Sequence, residues 1–491
     1  MKICTSSKDN AMNNKLFKKF LEFGVGSVIT LLIGFISSPI ITRLVSPEQN
    51  GKFSMFSTVG NLILVVVVLG LDQSFVRFFY DEKEENRGKL LKVCIIIPMI
   101  ISIITSIILI IFYKPISSYI VGEKSLIVIL LLCVYLIINV VFRFASLQIR
   151  MSQKAKLYSV VNIIQKCVNL IVVIFMFFLT GNNYITLVIA LVVSFIAASI
   201  LAIIFEKDVW LKKHNNIGIA TSKRELIRYG IPLIFSMAIT WIFQSTDRIA
   251  IKGFVGYEEL GLYNGAMTII ALLNAVQNTF TTFWTPVAFE RYSNDSQDKQ
   301  FFKNINEIVT ISMLIIAIVL ISSKDIIVYL LGPKYREAMF IFPYLVFMPV
   351  MYTISETTVL GINFKKKPKE HIKIASIVAI FNIIGNILLV PKLGARGAAI
   401  STGLAYSLFF LLRTYFSNKY FEVDYKIKKF LGLTIIIYIL ATYSSFNKFN
   451  EIIFLLSLIS IITTFFVYKN IIYRIILDVK NELDNRRWLI W

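Results

Sequence analysis

The chain has 491 residues, 57% of them hydrophobic and only 16% charged, yet 51 lysines and arginines against 29 acidic residues give it a net charge of +22. Soluble globular domains are about half apolar and about a quarter charged, which excludes that class here. The composition fits an all-α integral membrane protein, since about 20 consecutive apolar residues carry a helix across a bilayer.

In chain order, the apolar stretches predict about 14 transmembrane helices. The first six fall at 20–42, 53–74, 93–113, 125–143, 157–180 and 184–205. The next six fall at 229–252, 262–285, 305–323, 338–363, 372–390 and 397–416, with a last pair at 430–446 and 452–468. The first 19 residues are polar and lysine-bearing and precede a span longer than a signal-peptide core, so the first span is expected to stay in the membrane. With the N-terminus placed in the cytoplasm, the inner segments carry 38 of the 51 basic residues and the outer loops 11. That asymmetry is the positive-inside pattern. The basic excess therefore reports topology and attraction to anionic inner-leaflet lipid, not nucleic-acid binding. Both termini are expected to be cytoplasmic.

A repeat organises the chain. Phe23-Gly24 opens the first span, which closes on Val45-Ser-Pro-Glu48-Gln-Asn-Gly51-Lys-Phe53. Tyr229-Gly230 opens the seventh span, which closes on Val255-Gly-Tyr-Glu258-Glu-Leu-Gly261-Leu-Tyr263. The second motif lies 210 residues after the first, which suggests two homologous bundles. The expected division is an N-terminal lobe over 1–210, a C-terminal lobe over 211–420, and two extra spans with a cytoplasmic tail over 421–491.

An ionisable or amide side chain at membrane depth is expensive and marks a candidate site. In the fifth span, Asn162, Gln165, Lys166 and Asn169 share one helical face. Lys166 lies about 13 Å into the span at 1.5 Å per residue. It is read as a cation waiting for an anionic ligand, the plainer alternative being a lysine that snorkels or pairs with a carboxylate. In the seventh span, Ser236, Thr240, Gln244, Asp247 and Arg248 form a similar stripe. Arg248 is a candidate substrate contact, and Asp247 its partner or an ion-coupling site; an internal pair that only fixes packing is the alternative. The eighth span adds Asn274, Gln277, Asn278 and Thr281. In the tenth, Glu356 is a lone carboxylate able to take up a proton and so a candidate coupling site. The small-polar residues Ser27, Thr30, Gly34 and Ser38 of the first span, and Ser376, Asn382 and Asn386 of the eleventh, are read as packing surfaces. Asn139, Arg143, Ser146 and Arg150 share a face at the end of the fourth span, where the two arginines are expected to anchor the helix at the interface. Gly70-Leu71 is expected to break the second span, and the following Arg77 to guard the inner mouth of a cavity.

Several chemistries find no support. Cys4, Cys94, Cys133 and Cys167 form no CxxC, and His214 and His371 have no ligand spacing, so neither disulfide nor metal is expected. No GxxxxGK[ST] loop is present, and the outer loops are short for an enzyme that must hold a saccharide acceptor. The chain is expected to be neither an ATPase nor another enzyme, and to need no cofactor.

The sequence resembles the Wzx-type polysaccharide-transporter flippases of the multidrug/oligosaccharidyl-lipid/polysaccharide exporter superfamily. The resemblance lies in the Val45–Phe53 motif, Gly70-Leu-Asp-Gln-Ser-Phe-Val-Arg-Phe-Phe79, Tyr229-Gly-Ile-Pro-Leu233, Asp247-Arg248, Glu258-Glu-Leu-Gly-Leu-Tyr263 and Leu393-Gly-Ala-Arg-Gly-Ala-Ala-Ile400. It implies two pseudo-symmetric six-helix bundles around a central cavity, two further C-terminal helices, and alternating access. The implied cargo is an undecaprenyl-pyrophosphate-type glycolipid carried from inner to outer leaflet of a bacterial cytoplasmic membrane. The implied pathway is O-antigen, capsule or a related surface polysaccharide, with a polysaccharide polymerase and a chain-length regulator as partners. Sugar hydroxyls cost several kcal/mol each in hydrocarbon, so such a cargo needs a wet path. A multidrug antiporter of the same superfamily would need deep carboxylates, and the first lobe offers a deep lysine instead. A non-transporting scaffold of a glycan-assembly complex stays open.

Overall fold

The computed structural model describes residues 28–211 and 221–471 together with Gly26 and Tyr473; within 223–254 the side chains of 235–236, 238–240 and 243–244 are not described. The described residues form helices and connections, with no strand. Eleven described helices are long and apolar enough to cross a membrane, and Val28–Leu44 and Glu451–Val467 are shorter apolar helices. The chain is a multi-pass membrane protein. Two compact units divide it, Met1–Lys252 and Gly253–Trp491.

In the first unit, α1 (Val28–Leu44) satisfies its hydroxyls internally. Thr30 donates to the Gly26 carbonyl at 2.8 Å, Ser37 to Ile33 at 2.6 Å and Thr42 to Ser38 at 2.8 Å. Back-bonding of this kind lets polar side chains sit at membrane depth without an orphaned donor. Next come α2 (Pro47–Val68) and α3 (Leu71–Phe78), then α4 (Arg87–Ile111), the short α5 (Tyr113–Val121) and α6 (Leu126–Met151). The helices α7 (Ala155–Thr180), α8 (Tyr184–Phe205), α9 (Lys207–Leu211) and α10 (Lys223–Phe254) complete it.

The expected break at Gly70 is present. Leu69 and Gly70 are both left-handed, with φ of 51° and 67°, and they separate α2 from α3. The opposing surface is Gly230 of α10. A Cβ on Gly70 would stand 2.3 Å from the Gly230 carbonyl oxygen, and one on Gly230 2.8 Å from the Leu69 carbonyl oxygen. Glycine at both positions is what lets the two backbones touch. Ser74 of α3 locks the contact by donating to the Leu226 carbonyl at 2.8 Å. The N-terminal half of α10, which the sequence repeat assigns to the start of the second lobe, thus packs on the first unit.

The second unit repeats the plan. It runs α11 (Tyr257–Asn294), α12 (Lys299–Ser322), the short α13 (Lys324–Tyr329), and a fourth span cut into α14 (Ala338–Leu345), α15 (Phe347–Thr358) and α16 (Leu360–Phe364). Then follow α17 (Pro368–Leu393), α18 (Ala395–Asn418), α19 (Ile427–Phe446) and α20 (Glu451–Val467). Pro343 and Pro349 lie in the cut span; each removes a helical donor, and together they loosen it where α6 stays continuous.

The repeated sequence motif has a structural task in each unit. In the first, the Gln49 side chain accepts from the Tyr184 N–H at 3.0 Å, and the Ser46 N–H donates to Asn182 at 2.8 Å. In the second, Glu259 accepts from the Ala395 N–H at 2.9 Å. Each motif therefore caps an orphan N-terminal donor of a later helix of its unit, α8 in the first and α18 in the second. The preceding helices also end alike, on Gly181 and Gly394 with φ of 66° and 61°.

Lipid tails are as apolar as leucine, so close packing rather than escape from water holds such bundles together. In the first unit, Phe56, Phe75, Phe79, Leu90, Leu132 and Phe144 are fully buried in one cluster. In the second, Tyr292 stacks on Phe364 at 3.9 Å between centroids, beside Phe302 and Phe421.

Candidate functional site

A cavity of about 520 Å³ lies inside the first unit, within the range of small-molecule sites. Its walls come from α2, α3, α6, α7 and α8 and mix Asn61, Gln73, Asn139 and Ser146 with Tyr135, Phe142, Tyr158 and Phe195. The charged side chains lining it are Asp72, Arg143 and Arg150. A small space of about 40 Å³ adjoins it at Asn61, Asp72, Asn139 and Arg143, closed by Met237 and Trp241 of α10.

The centre of the wall is an ion pair. Arg143 donates through Nε and Nη2 to Oδ2 of Asp72, at 2.9 and 2.5 Å, and Gln73 adds a third bond to that oxygen at 3.0 Å. Asp72 is 1% exposed, and its other oxygen, Oδ1, has no partner among the described residues. The Arg143 side chain keeps 38% of its surface open to the cavity. The pair follows from the Gly70 break, because a new helix starting at Leu71 sets Asp72 in its first turn, facing α6. Arg150 lies two turns beyond Arg143 on α6, is exposed, and makes no side-chain hydrogen bond or ion pair among the described residues. Farther in, the Tyr135 hydroxyl donates to Asn61 at 2.9 Å.

This placement corrects two expectations. Arg143 and Arg150 line a cavity instead of serving only as interfacial anchors, and the first lobe does hold a buried carboxylate, Asp72. Nearness to a span end in the sequence does not say which way a helix face points, and the partner of Arg143 is 71 residues away. The available signal was the shared face of Asn139, Arg143, Ser146 and Arg150, which belongs to a wall rather than to a random fringe.

The fifth-span stripe is divided. Gln165 is buried and donates to Ser194 of α8 at 3.1 Å, while Asn162 bonds the Tyr158 carbonyl of its own helix at 2.8 Å. Asn169 is half-buried, and Lys166 is exposed with no ion pair among the described residues. The exposed apolar residues of α7, Val160, Ile171, Phe175 and Phe178, cluster on one arc. At 100° per residue, Lys166 lies about 140° away from that arc, on the polar side. On α10, Asp247 is 5% exposed and Arg248 half-buried, so the adjacent residues do not share a surroundings. The Gln244 side chain lies outside the described residues. Arg77 is exposed, pairs with Asp81 at 2.8 Å, and is not among the residues lining the cavity.

In the second unit, Gln277 donates to Asn278 at 3.4 Å, and Asn278 is exposed. Glu356 is not alone. Its carboxylate accepts from Nη1 of Arg413 at 2.7 Å, and the same nitrogen donates to Ser355 at 2.6 Å. Glu356 and Arg413 are 8% and 6% exposed, and the guanidinium lies 5.3 and 4.9 Å from the Tyr352 and Phe409 ring centres. Arg413 falls near the end of the predicted span 397–416, and α18 carries it buried inside the unit. A sign of this was its spacing from Tyr406 and Phe410, which are also buried and put it on the packed face. Arg143 and Glu356 each stand eight residues before the end of the fourth span, at Met151 and Phe364. The same helix position thus carries opposite charge in the two units, each paired within its own unit. Asn382 and Asn386 join α17 to α18: Asn382 donates to Ser401 and Thr402 at 3.3 and 3.2 Å and accepts from Asn386 at 3.1 Å.

Three comparisons bear on this arrangement. A family model described as polysaccharide biosynthesis protein matches residues 16–291. An uncharacterized membrane protein of Methanocaldococcus jannaschii is 24% identical over 437 residues, covering 83% of this chain and 86% of its own. The capsular polysaccharide biosynthesis protein CapF of Staphylococcus aureus is 22% identical over 420 residues, covering 83% of this chain and all of its own. Among solved structures, the lipid II flippase MurJ in an inward closed conformation superposes with a TM-score of 0.67 at 19% identity, over 93% of this chain and 99% of its own. An inward-facing multidrug resistance MATE family transporter superposes with a TM-score of 0.55 at 13% identity, over 80% of this chain and 94% of its own. These likenesses establish a transporter fold of the MurJ and MATE kind.

Proposed function

We propose, for a chain that belongs to the polysaccharide biosynthesis protein family, that it moves a polyprenyl-pyrophosphate-linked oligosaccharide from the inner to the outer leaflet of the cytoplasmic membrane by alternating access, both termini being cytoplasmic. The observation that carries this reading is the polar, net-cationic cavity of the first unit, set among helices whose outer faces are apolar. Hydroxyl and amide side chains there replace the water that sugar hydroxyls would lose in hydrocarbon. Guanidinium groups meet phosphate or carboxylate by charge-assisted, bidentate hydrogen bonds. Lys166 and Arg248, with Asn162, Gln165, Asn169, Gln244, Gln277, Asn278 and Arg77, are proposed to extend the polar path. Asp247 and Glu356 are proposed as ion-coupling residues, Glu356 through its hold on Arg413.

Supply of lipid-linked glycan on one side and its polymerisation on the other place a polymerase and a chain-length regulator among the proposed partners. The test is a strain lacking the protein, assayed for lipid-linked oligosaccharide held on the inner leaflet. Accumulation there, reversed by the intact gene, is expected. An unchanged distribution between leaflets would overturn the reading.

A further inference from the structure

We infer that one rim of the second unit, where α12 and α19 finish and α14 and α18 begin, is a site for an anionic phospholipid. Arginine and lysine side chains hold its phosphodiester, and its acyl chain lies along α13. The inference goes beyond the transport reading and does not involve the cargo. Four cations reach this rim from four helix ends. Lys324 follows the span ending at Ser322 by two residues, and Lys448 follows the span ending at Phe446 by two. Arg336 precedes Ala338, the start of α14, by two residues, and Arg396 follows Ala395, the start of α18, directly. Each therefore stands at headgroup depth. On the proposed topology this rim faces outward, where the positive-inside pattern makes basic residues scarce. Yet six of the 11 in the predicted outer loops, Lys324, Lys334, Arg336, Lys392, Arg396 and Lys448, belong to its connections.

Aromatic rings hold the cations in place. Phe340 lies 5.1 Å from Nζ of Lys324 and 4.7 Å from the Arg396 guanidinium, which is also 6.0 Å from the Phe446 ring centre. Arg336 stacks on Tyr329 at 3.7 Å. The carboxylates at hand do not satisfy them. Lys324, whose side chain is fully buried, pairs with Asp325 at 3.0 Å, while Arg396 has only a 3.5 Å contact with Glu337. Nη1 of Arg336 is buried with no hydrogen-bond partner among the described residues. Lys448 is exposed and has no ion pair among them. Burial holds the Lys324 ammonium below the usual lysine range against the pull of Asp325, and nearby Lys448 adds to the effect. An anion relieves both strains, and a guanidinium fixed by stacking meets phosphate oxygens edge-on. The adjoining surface assigns that phosphate to a lipid. Ile326, Tyr329 and Leu330 share one exposed face of α13, and Phe446 and Phe449 are exposed beside it. A free phosphate leaves this apolar surface unused, whereas an acyl chain covers it. The lipid so held bridges the ends of α12, α14, α18 and α19.

The test counts lipid held by the purified full-length protein in detergent, by native mass spectrometry, during titration with phosphatidylglycerol, phosphatidylcholine or diacylglycerol of equal chain length. Phosphatidylglycerol is expected to bind about tenfold more tightly than phosphatidylcholine, the worth of one charge-assisted contact. Diacylglycerol, which lacks the phosphate, is expected to bind more weakly than either. R336Q and R396Q, compared as folded proteins of unchanged thermal midpoint, are each expected to lose most of the tenfold preference. K365Q/K369Q, at two exposed lysines of the opposite rim, is expected to keep it. Equal binding of the two phospholipids, or arginine variants that keep the preference, overturns the inference. Loss of the preference in K365Q/K369Q also overturns it, assigning the lipid to the opposite rim. Displacement of the lipid by an equal concentration of glycerol phosphate overturns it too, since that marks a simple anion site. None of these measurements involves glycolipid relocation, so the transport reading stands or falls separately.

Discussion

Breaking the Asp72–Arg143 pair from its two ends should have unequal consequences. Asp72 is 1% exposed and Arg143 38% exposed at the side chain. The variant R143M leaves a buried carboxylate with a single side-chain donor, Gln73, at 3.0 Å. Removing one partner of a buried pair costs about 3–5 kcal/mol, and access of water to the cavity places this case near about 3. D72N leaves a guanidinium that the cavity can hydrate, and an amide oxygen still able to accept, so about 1 kcal/mol is expected. In the double variant neither charge is stranded, and its cost should be about 1–2 kcal/mol rather than the additive sum of about 4, a coupling of roughly 2 kcal/mol. Unfolding free energies in mixed detergent micelles measure all four corners of this cycle. Additive losses, or a D72N variant as unstable as R143M, would refute the reading of Asp72 as the desolvated end of the pair.

Replacing Gly70 with Ala should cost at least about 1–2 kcal/mol from the left-handed backbone alone, besides the collision with Gly230; lower accumulation of folded protein in detergent reports it. Removing the cap with Gln49→Ala or Glu259→Ala should destabilise by about 0.5–2 kcal/mol, more for the charged Glu259, as read by hydrogen exchange at the first turns of α8 and α18. If Lys166 and Arg248 contact cargo, K166A and R248A should reduce glycan export while membrane insertion stays normal; wild-type export by both would remove them from the path. If Asp247 or Glu356 couples an ion, flipping in proteoliposomes should fall when proton and sodium gradients are collapsed, and gradient-independent flipping would exclude that role.

What the sequence disclosed depended on range. Apolar length located the helices, and Gly70 located the bend, because both are properties of a few neighbouring residues. The repeat was visible as a motif, but its task was not: the atoms that Gln49 and Glu259 cap lie 135 and 136 residues away. Distance along the chain also hid the partners of Arg143 and Glu356. Arg143 lies at a predicted span boundary and so reads as an interfacial cation, and Arg413, three residues before the boundary at 416, gives no sign of its partner. Only the packing of α6 on α3 and of α15 on α18 shows which way they turn. The Lys166 stripe shows the opposite limit. Periodicity put four polar residues on one face, and the structure spends Gln165 on holding α8 and Asn162 on its own backbone, leaving Lys166 exposed on the polar side of the helix.

The capping contacts of Gln49 and Ser46 fasten the entry of α2 to the entry of α8. The cavity residues Asp72, Arg143 and Arg150 belong to the far ends of that bundle, beyond the bend at Gly70. That rim has ties of its own: Lys154 pairs with Glu206 at 2.5 Å, and the Tyr80 hydroxyl donates to the Met151 carbonyl at 2.6 Å. The first unit is therefore fastened at both ends, and its cavity lies in a frame held by hydrogen bonds above and below.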